Sequence, residues 1–575
     1  AKRVDRLRDG ACKSRLVAME IAYDLRADTH AGTPTIAVIR FVISEAATQK
    51  WDLMIHDVTC AFLHASMEGE PPLALILPWG MAPEGCLGVL DCALYGTRRA
   101  SYLWGEKIST EFTKPGTLTR AKGCGQLYFN REKQLVTVEH GDDFITTGPD
   151  ASLQWFDALV RKAFKVKYGI RLGPRFQAEG CFLGRTIKFV NKVGYEYCPA
   201  RQHIDNAAAK VGLQQAKPVQ APAVRDHGAA LANAFDKLPA AEKDKYVSAT
   251  GSLIYLSVDR YDVQYVMRLL AQKLNEPTNH DMLRLKHVIK YLLGTADWVW
   301  QFPYQKRSAE LQAQSDSDWA ADVETRKSVS SGFLRNGAHV WEHWCTGQQL
   351  VALSSGEAEF YAAGKAAAHG LFFLYLLAEM GRQLKLKVRM DSSAARGIFG
   401  RQGPGRIRHL ATRFLWVQEK VRLKEFSVEA VTGVENEADL ATKILSGDRV
   451  RELSRKLHLG PTAVRAAALS LLFRCAAGAP TEQSLVVLAE ARVEVTPRGL
   501  WVSWALLLQL AAAAVTLLAG VYAWGRLAPA GTEGEDTTDR EVQTEEAQRA
   551  AARGRGPRPS TPPPPQACAA CGLFP

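Results

Sequence analysis

The sequence predicts a multidomain protein of mixed α+β and α/β class. Its 575 residues exceed what one hydrophobic core usually organises, so several domains are expected. Short apolar strands alternate with helical segments before about residue 195 and again between residues 311 and 445. A helical stretch at about residues 245–295 separates these two regions. Such alternation is typical of domains in which helices cover mixed β-sheets.

Four segments define the first region. RFVISEAATQ (40–49) is amphipathic and predicts a helix, whereas WDLMIHDV (51–58) predicts a buried strand that ends on Asp57. Helical spacing extends over ALYGTRRASYLWGEKISTEF (93–112). LYFNREKQLVTVEHGDDFITTG (127–148) predicts two strands and a hairpin.

The middle region predicts helices with basic faces. VQYVMRLLAQKL (263–274) and HDMLRLKHVIKYLL (280–293) each carry an apolar stripe and a Lys/Arg face. A Lys/Arg face of this kind is usually exposed to solvent. The alternative is that it contacts the phosphate backbone of a nucleic acid.

The third region predicts a mixed α/β domain. Its predicted elements are a strand LQAQSDSDW (311–319), two strands around an Asn-Gly turn in SGFLRNGAHVWEHWCT (331–346), a long helix from Ser354 to Gly381, the strands LKVRMDSS (386–393) and FSVEAV (426–431), and a final helix ENEADLATKIL (435–445).

The carboxyl-terminal part has a different composition. Residues 448–495 are rich in Ala, Arg and Leu and predict helix. Leu500 to Trp524 contains no charged residue and has aromatic residues near both ends, which favours a membrane-spanning helix over a buried one. The tail from Ala528 is acidic, then Arg-rich, then STPPPPQ, and predicts disorder.

The overall charge is compatible with an anionic partner. A net charge of +12 and a pI of about 9.1 fit nucleic acid, and a merely basic protein explains them equally well. The 11 Cys are odd in number and lie mostly in apolar segments. This pattern indicates reduced, buried thiols in an intracellular protein.

Three carboxylates in the first region form a candidate metal site. Asp57 ends a predicted strand, and Asp142 and Asp143 lie at the tip of the predicted hairpin. A Gly-Asp turn is ordinary turn chemistry, so the pair by itself also fits a solvated turn. Nucleotidyl transfer needs carboxylates that hold two Mg²⁺ ions about 3.5–4 Å apart, and a strand Asp beside an Asp-Asp hairpin can supply them.

Four acids in the third region form a second candidate site. Asp316 lies on the first strand, Glu359 in the long helix, Asp391 at a strand end, and Asp439 in the final predicted helix. Each alone fits a surface charge. Together, acids at element ends can converge on a two-metal site that hydrolyses a phosphodiester.

Five segments of the first 266 residues resemble the reverse transcriptase of copia-type retrotransposons. They are DVTCAFLHA, LYGTRRASYLW, HGDDFITTG, CFLGRTI and GSLIYLSVDRYDVQYV, which follow the order of that family's DVxxAFLxG, LYGLxQxxxxW, YVDD, FLG and GxLxYLxxxxRPD. KSRLVA (13–18) also resembles the family's fingers segment.

This resemblance implies roles for six residues. Asp57, Asp142 and Asp143 would be metal ligands for Mg²⁺ or Mn²⁺. Lys13, Arg15 and Phe62 would form the nucleotide-binding site. The two basic side chains would contact the incoming triphosphate, and the Phe62 ring would crowd a 2′-hydroxyl and select deoxynucleotides.

The hairpin departs from the family pattern. Where the family has Tyr-Val-Asp-Asp, this chain has His140-Gly141-Asp142-Asp143. An imidazole replaces the aromatic ring near the primer end, and Gly141 loosens the turn. Weakened polymerase activity, or decay of this copy, is therefore expected.

Residues 306–446 resemble the ribonuclease H domain that follows this polymerase. The matching segments are SDSDWAAD, RKSVSSGF, LSSGEAEFYA, MDSSAA and EADLATK. The resemblance makes Asp316, Glu359, Asp391 and Asp439 the catalytic metal ligands. Asp318 and Glu357 would have supporting roles, and His409 in RIRHLATRF would lie near the hybrid unless it is simply solvated.

The resemblance covers residues 10–445 and implies a domain organisation. The expected units are fingers and palm (1–195), thumb and connection helices (196–305), a ribonuclease H-like domain (306–446), a basic helical segment (447–498), a transmembrane helix (499–526) and a disordered tail (527–575). Because the chain begins AKRVDRLRDG without Met, it is expected to be part of a longer polyprotein.

The implied function is RNA-directed DNA synthesis with cleavage of RNA in RNA–DNA hybrids. Expected partners are an RNA template, a DNA primer, the hybrid and deoxynucleoside triphosphates. The expected location is intracellular, in cytoplasm or nucleus, with membrane association through residues 500–524. The alternatives are a catalytically decayed copy that binds nucleic acid while tethered to a membrane, and a reading frame fused to unrelated host sequence.

Overall fold

The computed structural model describes residues 1–8, 11–21, 32–81, 83, 85–225, 232–463 and 465–466. All of them belong to one unit, Ala1–Ala491. The predicted transmembrane helix at 500–524 and the predicted disordered tail lie outside the described residues. Three large β-sheets dominate the described part of the chain.

The first large sheet has six antiparallel strands. The elements of this part of the chain are β1 (Lys2–Arg8), β2 (Ala11–Val17), α1 (Ile36–Gln49), β3 (Asp52–Val58), β4 (Ala74–Ile76), β5 (Leu87–Val89), α2 (Ala100–Phe112), β6 (Thr119–Arg120), β7 (Leu127–Asn130), β8 (Leu135–His140), β9 (Asp143–Gly148), α3 (Asp150–Ala163) and β10 (Val166–Leu172). The strand order is β10-β3-β9-β8-β7-β6, so β3 lies beside the β8–β9 hairpin. The predicted strand at Asp57 and the predicted hairpin are thus neighbours.

The second sheet contains strands that are far apart in sequence. The next elements are β11 (Glu179–Phe182), β12 (Arg185–Val190), β13 (Gly194–Cys198), α4 (Gln202–Lys210), α5 (Ala240–Ser257), α6 (Gln264–Gln272), α7 (Asn279–Gly294) and β14 (Trp298–Pro303). The sheet order is β11-β12-β13-β14, and the late strand Leu459–Pro461 adds to the edge beside β14. The boundary predicted between residues 195 and 196 therefore falls inside β13.

The third sheet is mixed, as its sequence predicted. Its elements are β15 (Glu310–Ser317), β16 (Val329–Asn336), β17 (His339–Gly347), α8 (Ser355–Glu379), β18 (Lys385–Met390), α9 (Ser393–Gly400), α10 (Trp416–Arg422) and β19 (Phe426–Ala430), followed by α11 (Gly447–Lys456) and β20 (Leu459–Pro461). The order is β17-β16-β15-β18-β19, with β15 antiparallel to β16 and parallel to β18. Ser354 caps α8, whose buried face packs on the sheet.

Three sequence predictions are wrong in detail. Helix α2 begins at Ala100 and not near residue 93, because Gly96 has a positive φ of 88° and a Cβ there would meet the Ala18 carbonyl oxygen. The helix predicted over 435–445 is only a short 3-10 helix, Glu437–Ala441. The segment after 447 is not all helix, since β20 follows α11.

The expectation of buried cysteines is also largely wrong: of the eight described thiols, all free, one is buried, three are partly buried and four are exposed. The exposed ones are Cys12, Cys60, Cys86 and Cys181. They lie on short strands and connections, where the surrounding apolar residues do not enclose them.

One described helix has the length and composition of a membrane span. It is α8, and more than half of its most apolar stretch is buried inside the protein. Packing against the third sheet accounts for its apolar character.

A buried ionic network joins helix α1 to the second sheet. Asp259, which follows α5, binds Arg40 of α1 at 3.2 Å and Arg185 of β12 at 2.8 Å. The Tyr197 hydroxyl donates to the same carboxylate at 2.9 Å, and Trp300 Nε1 donates to the Asp259 carbonyl at 2.7 Å. Asp259 is 2% exposed, so both guanidinium groups depend on it for neutralisation in a dry environment.

Removal of this carboxylate should destabilise the fold. Asp259→Ala leaves two buried guanidinium groups without a counter-charge, and the free energy of unfolding is expected to fall by about 3–5 kcal/mol. Urea unfolding monitored by circular dichroism measures the change. Glu276→Ala is the matched control, because Glu276 pairs with Lys237 on the exposed surface and its loss should leave the unfolding midpoint unchanged. Equal midpoints for both variants would contradict this role of Asp259.

Candidate active sites

The first centre is built by the pairing of β3 with the β8–β9 hairpin. Asp57 lies directly opposite Asp143 in this antiparallel pair. Asp142 occupies the two-residue turn, and its carbonyl accepts a hydrogen bond from Val58 N at 2.9 Å. Backbone register thus places all three predicted carboxylates at the same end of the neighbouring strands β3 and β9.

A tryptophan on α2 fixes the turn of the hairpin. Trp104 Nε1 donates to the Gly141 carbonyl at 2.7 Å. Gly141 has a φ of +62°, which a β-branched side chain adopts only with strain. A Cβ at Gly141 would meet no atom within 4 Å, so backbone conformation and not space limits this position.

The carboxylates of the first centre repel one another. Burial, followed by the charges of Asp142 and Asp57, raises the pKa of Asp143 to about 7. Lys167 Nζ lies 3.0 Å from Asp57 Oδ2 and offsets part of this repulsion. Tyr168, opposite Asp57 on β10, also has its pKa raised to about 12, by burial first and then by Asp57 and Asp143.

A ring pair connects this centre with the predicted nucleotide-binding residues. The guanidinium of Arg15 lies 5.4 Å from the centre of the Tyr95 ring, and the ring of Phe62 lies 4.7 Å from it. Burial, and next the charge of Asp142, raises the pKa of Tyr95. The structure therefore brings Arg15 and Phe62 together beside the carboxylates. Lys13 is in β2, but its side chain is outside the described part of the chain.

The second centre brings together three of its four predicted acids. Asp316 lies on the central strand β15, Glu359 in the first turns of α8, and Asp391 directly after β18. One carboxylate oxygen from each lies within 4.8 Å of the other two. Within the described ranges, this is the one group of three Asp, Glu, His or Cys residues that meets this distance, so the first centre is more open.

Charge repulsion in the second centre is strong because the acids are buried. Burial raises the pKa of Asp316 to about 7 and the pKa of Glu359 to about 9, and repulsion from the neighbouring acids adds to this effect. Glu359 Oε1 accepts a hydrogen bond from Ser317 N at 3.2 Å, whereas its buried Oε2 has no partner among the described residues. An oxygen-only donor set with an unpartnered buried oxygen fits a hard divalent cation such as Mg²⁺ or Mn²⁺.

The fourth acid is engaged differently. Asp439 is not a member of the group of three, and its carboxylate accepts a hydrogen bond from Lys443. Asn436 and Thr442, on the same segment, donate to the carboxylate of Asp316. This segment therefore supplies two hydrogen-bond donors to Asp316 on β15.

The supporting acids have structural partners. Asp318 accepts a hydrogen bond from Val329 N at 2.7 Å. Glu357 Oε1 accepts from the Tyr361 hydroxyl, whereas Oε2 accepts from Leu353 N and lies 2.9 Å from Nε2 of the half-exposed His409. His409 is thus held beside Glu357 in the first turn of α8, two residues before Glu359 in the chain.

Comparison with known proteins identifies the family. The family model described as reverse transcriptase (RNA-dependent DNA polymerase) matches residues 1–225. The retrovirus-related Pol polyprotein from transposon TNT 1-94 of Nicotiana tabacum is 27% identical over 439 residues, which is 73% of this chain and 32% of that protein. The corresponding polyprotein from transposon RE2 of Arabidopsis thaliana is 27% identical over 77% of this chain and 30% of its own length. The chain belongs to the Pol polyproteins of copia-type retrotransposons.

This copia-type chain spans about a third of the length of those curated relatives. Among solved structures, the foamy viral protease-reverse transcriptase in complex with dsDNA is similar over 66% of this chain and 68% of that chain. Identity is 10% and the TM-score is 0.17.

Several site residues of this copia-type chain were not predicted from the sequence. They are Tyr95, Trp104, Lys167, Tyr168, Asn436, Thr442 and Lys443. Tyr95, Trp104, Thr442 and Lys443 lie within the quoted motifs, so motif membership was a usable signal for them. Lys167 has no such signal, because its contact with Asp57 depends on strand pairing across 110 residues.

Neutralising one acid of the second centre should stabilise the protein in the absence of divalent cations. Glu359 has a raised pKa, so the folded state binds a proton more tightly than the unfolded state between the ordinary pKa of 4.5 and about 9. Stability is therefore lost as pH rises through this window. Glu359→Gln, measured by thermal unfolding in chelator, should gain about 2 kcal/mol at pH 8 and nothing at pH 4.

The control for this experiment is Glu276→Gln, which should not alter the pH dependence, since Glu276 lies on the surface. A Glu359→Gln advantage that is the same at pH 4 and pH 8 would show that charge repulsion is not its cause.

Proposed function

We propose that this chain is an RNA-directed DNA polymerase whose third domain cleaves the RNA strand of an RNA–DNA hybrid. The observation that carries the proposal is the presence of two carboxylate centres in one unit, each built where rigid strands end. Membership of the reverse transcriptase family supports the first activity. A mixed sheet with an acid on its central strand, next to a helix and a strand that each add an acid, supports the second.

In the polymerase centre, the chain's own residues would position the substrates. Asp57, Asp142 and Asp143 would hold Mg²⁺ or Mn²⁺. Bound cations of this kind supply positive charge at the attacking and leaving oxygens of nucleotidyl transfer. Arg15 and Lys13 would bind the triphosphate as fixed positive charges. Phe62, packed on Tyr95, would present an apolar surface below the sugar and exclude a 2′-hydroxyl.

In the nuclease centre, Asp316, Glu359 and Asp391 would hold the cation, and Asp439 would complete the set. Glu359 remains anchored by Ser317 N, which keeps its free oxygen directed into the centre. His409, held by Glu357 in the first turn of α8, would face the hybrid. The hybrid itself would be recognised through backbone shape and 2′-hydroxyls.

The proposed partners follow from these activities. They are an RNA template, a DNA primer, an RNA–DNA hybrid and deoxynucleoside triphosphates. An intracellular location, with membrane association through residues 500–524, remains part of the proposal.

Separate substitutions should remove the two activities independently. Asp142→Asn weakens cation binding in the first centre, and Asp391→Asn does so in the second, so each should reduce its own reaction on the order of 10³-fold. Primer extension on an RNA template and cleavage of a labelled RNA–DNA hybrid, both with Mg²⁺, are measured for each variant. Asp205→Asn, a change in an exposed ion pair, is the control. Hybrid cleavage that persists in Asp391→Asn would refute the nuclease assignment.

The second candidate function is that of a decayed copy that binds nucleic acid without polymerising. The identity of residue 140 supports this second function, because His140 carries an imidazole where the family has a Tyr ring. Base–aromatic stacking contributes roughly 1–3 kcal/mol, so His140→Tyr should raise primer extension roughly tenfold. Gly141 is left unchanged, since Val would be strained at its positive φ.

The control for this test is His203→Tyr, a change of the same kind in helix α4, where the half-buried His203 ring packs beside Tyr255 of α5. Unchanged extension in His140→Tyr would show that the imidazole is not what limits the polymerase. An inactive natural protein that His140→Tyr restores would identify the copy as decayed.

A further inference from the structure

Lys443 introduces a positive charge into the nuclease centre. Its ammonium binds the Asp439 carboxylate and lies 3.5 Å from Oδ2 of Asp316. Both contacts follow from local structure, because Asp439 belongs to the 3-10 helix Glu437–Ala441 and Lys443 N donates to the Asp439 carbonyl at 3.2 Å. One cationic side chain thus stands between an acid of the close group and the acid that is absent from it.

This arrangement divides the four acids into two sets. Asp316, Glu359 and Asp391 present oxygens to one another within 4.8 Å, whereas Asp439 faces Lys443. Asp316 is common to both sets, since one of its oxygens lies within 4.8 Å of Glu359 and Asp391 and its Oδ2 lies 3.5 Å from the Lys443 ammonium. A two-cation centre needs one carboxylate that is shared between the cations, and here a lysine occupies the second position.

We propose that Lys443 is a positioning residue that takes the place of a second divalent cation in the nuclease centre before substrate arrives. Its ammonium keeps Asp439 out of the ligand group and leaves Asp316, Glu359 and Asp391 to bind a single cation. Lys443 would have to leave Asp439 before that carboxylate could help to hold a second cation. This inference rests on the proposed nuclease function, because it assigns the three acids to cation binding.

The surrounding contacts make Lys443 separable from the fold. Asp316 also accepts hydrogen bonds from Asn436 and Thr442, which do not depend on the lysine. Asp439 lies in a segment whose backbone is held by Asn436 as the cap of the 3-10 helix. Substitution of Lys443 therefore changes the charge of the centre and leaves these anchors in place.

The test is a Mn²⁺ titration of the full chain. Asp57→Asn, Asp142→Asn and Asp143→Asn are introduced together to remove the first centre, and Asp391→Asn is added in a parallel sample to identify binding at the second. Calorimetry and electron paramagnetic resonance then give the number of bound Mn²⁺ ions and their affinity. Lys443→Met removes the charge and Lys443→Arg keeps it. Lys420→Met removes an equal charge from the same domain at a residue paired with Glu425.

The natural lysine should give one Asp391-dependent Mn²⁺ per chain. Lys443→Met should add a second ion, or bind the first at least about tenfold more tightly, which corresponds to ~1.4 kcal/mol. Lys443→Arg and Lys420→Met should resemble the natural chain. In chelator, Lys443→Met should unfold at a lower temperature than Lys420→Met, and Mn²⁺ should reverse the difference.

Two results would overturn the proposal in distinguishable ways. If Lys443→Met left the number of ions and their affinity unchanged, Lys443 would not occupy a cation position. If the natural lysine gave no Asp391-dependent Mn²⁺ binding, the nuclease centre itself would fail, and the role of Lys443 with it.

Discussion

Carboxylates that repel one another can stay together only when a rigid backbone holds them, and this constraint shapes both centres. Asp57 and Asp143 are fixed by antiparallel register, and Asp316 and Asp391 by the parallel pairing of β15 with β18. The raised pKa values of Asp143 and Glu359 show that the fold holds these groups against an electrostatic cost. Repulsion between these carboxylates lowers the stability of the folded protein, and a bound cation can offset this loss by neutralising their charge.

The rest of the molecule supplies the rigidity that these strand ends need. Asp259 links α1 to β12 and β14 of the second sheet through two arginines and the Trp300 indole, and α1 in turn packs against strands of the first and third sheets. Trp104, on a separate helix, fixes the turn that carries Asp142. Because such buried charges are destabilising when unpaired, the network favours one arrangement of α1 on the second sheet over others.

The sequence predicted the parts of each centre that depend on local pattern. Apolar runs that stop at acids located Asp57, Asp316 and Asp391 correctly at strand ends. It did not predict contacts such as Lys167 with Asp57, since these arise only when distant strands pair. The helix predicted from residue 93 begins only at Ala100. Hydrophobic periodicity could not reveal the turn before it, which depends on the positive φ of Gly96. Asp439 was assigned to the metal ligands by resemblance. Lys443 lies in the same motif, but its ion pair with Asp439 is seen only in the fold.

Each centre pairs one acid with a lysine, but solvent gives the two lysines different importance. The Asp57 side chain is 19% exposed, whereas that of Asp316 is 1% exposed. Water screens the charges of the first centre, so Lys167 stabilises little there and the acids can lie further apart. In the second centre the same charge acts in a low-dielectric environment and can determine which acids face one another. The change to His140 alters neither situation, because His140 pairs with Asp143 through backbone register. Its effect must therefore come from what the side chain contacts at the tip of the hairpin, and the carboxylates keep their positions.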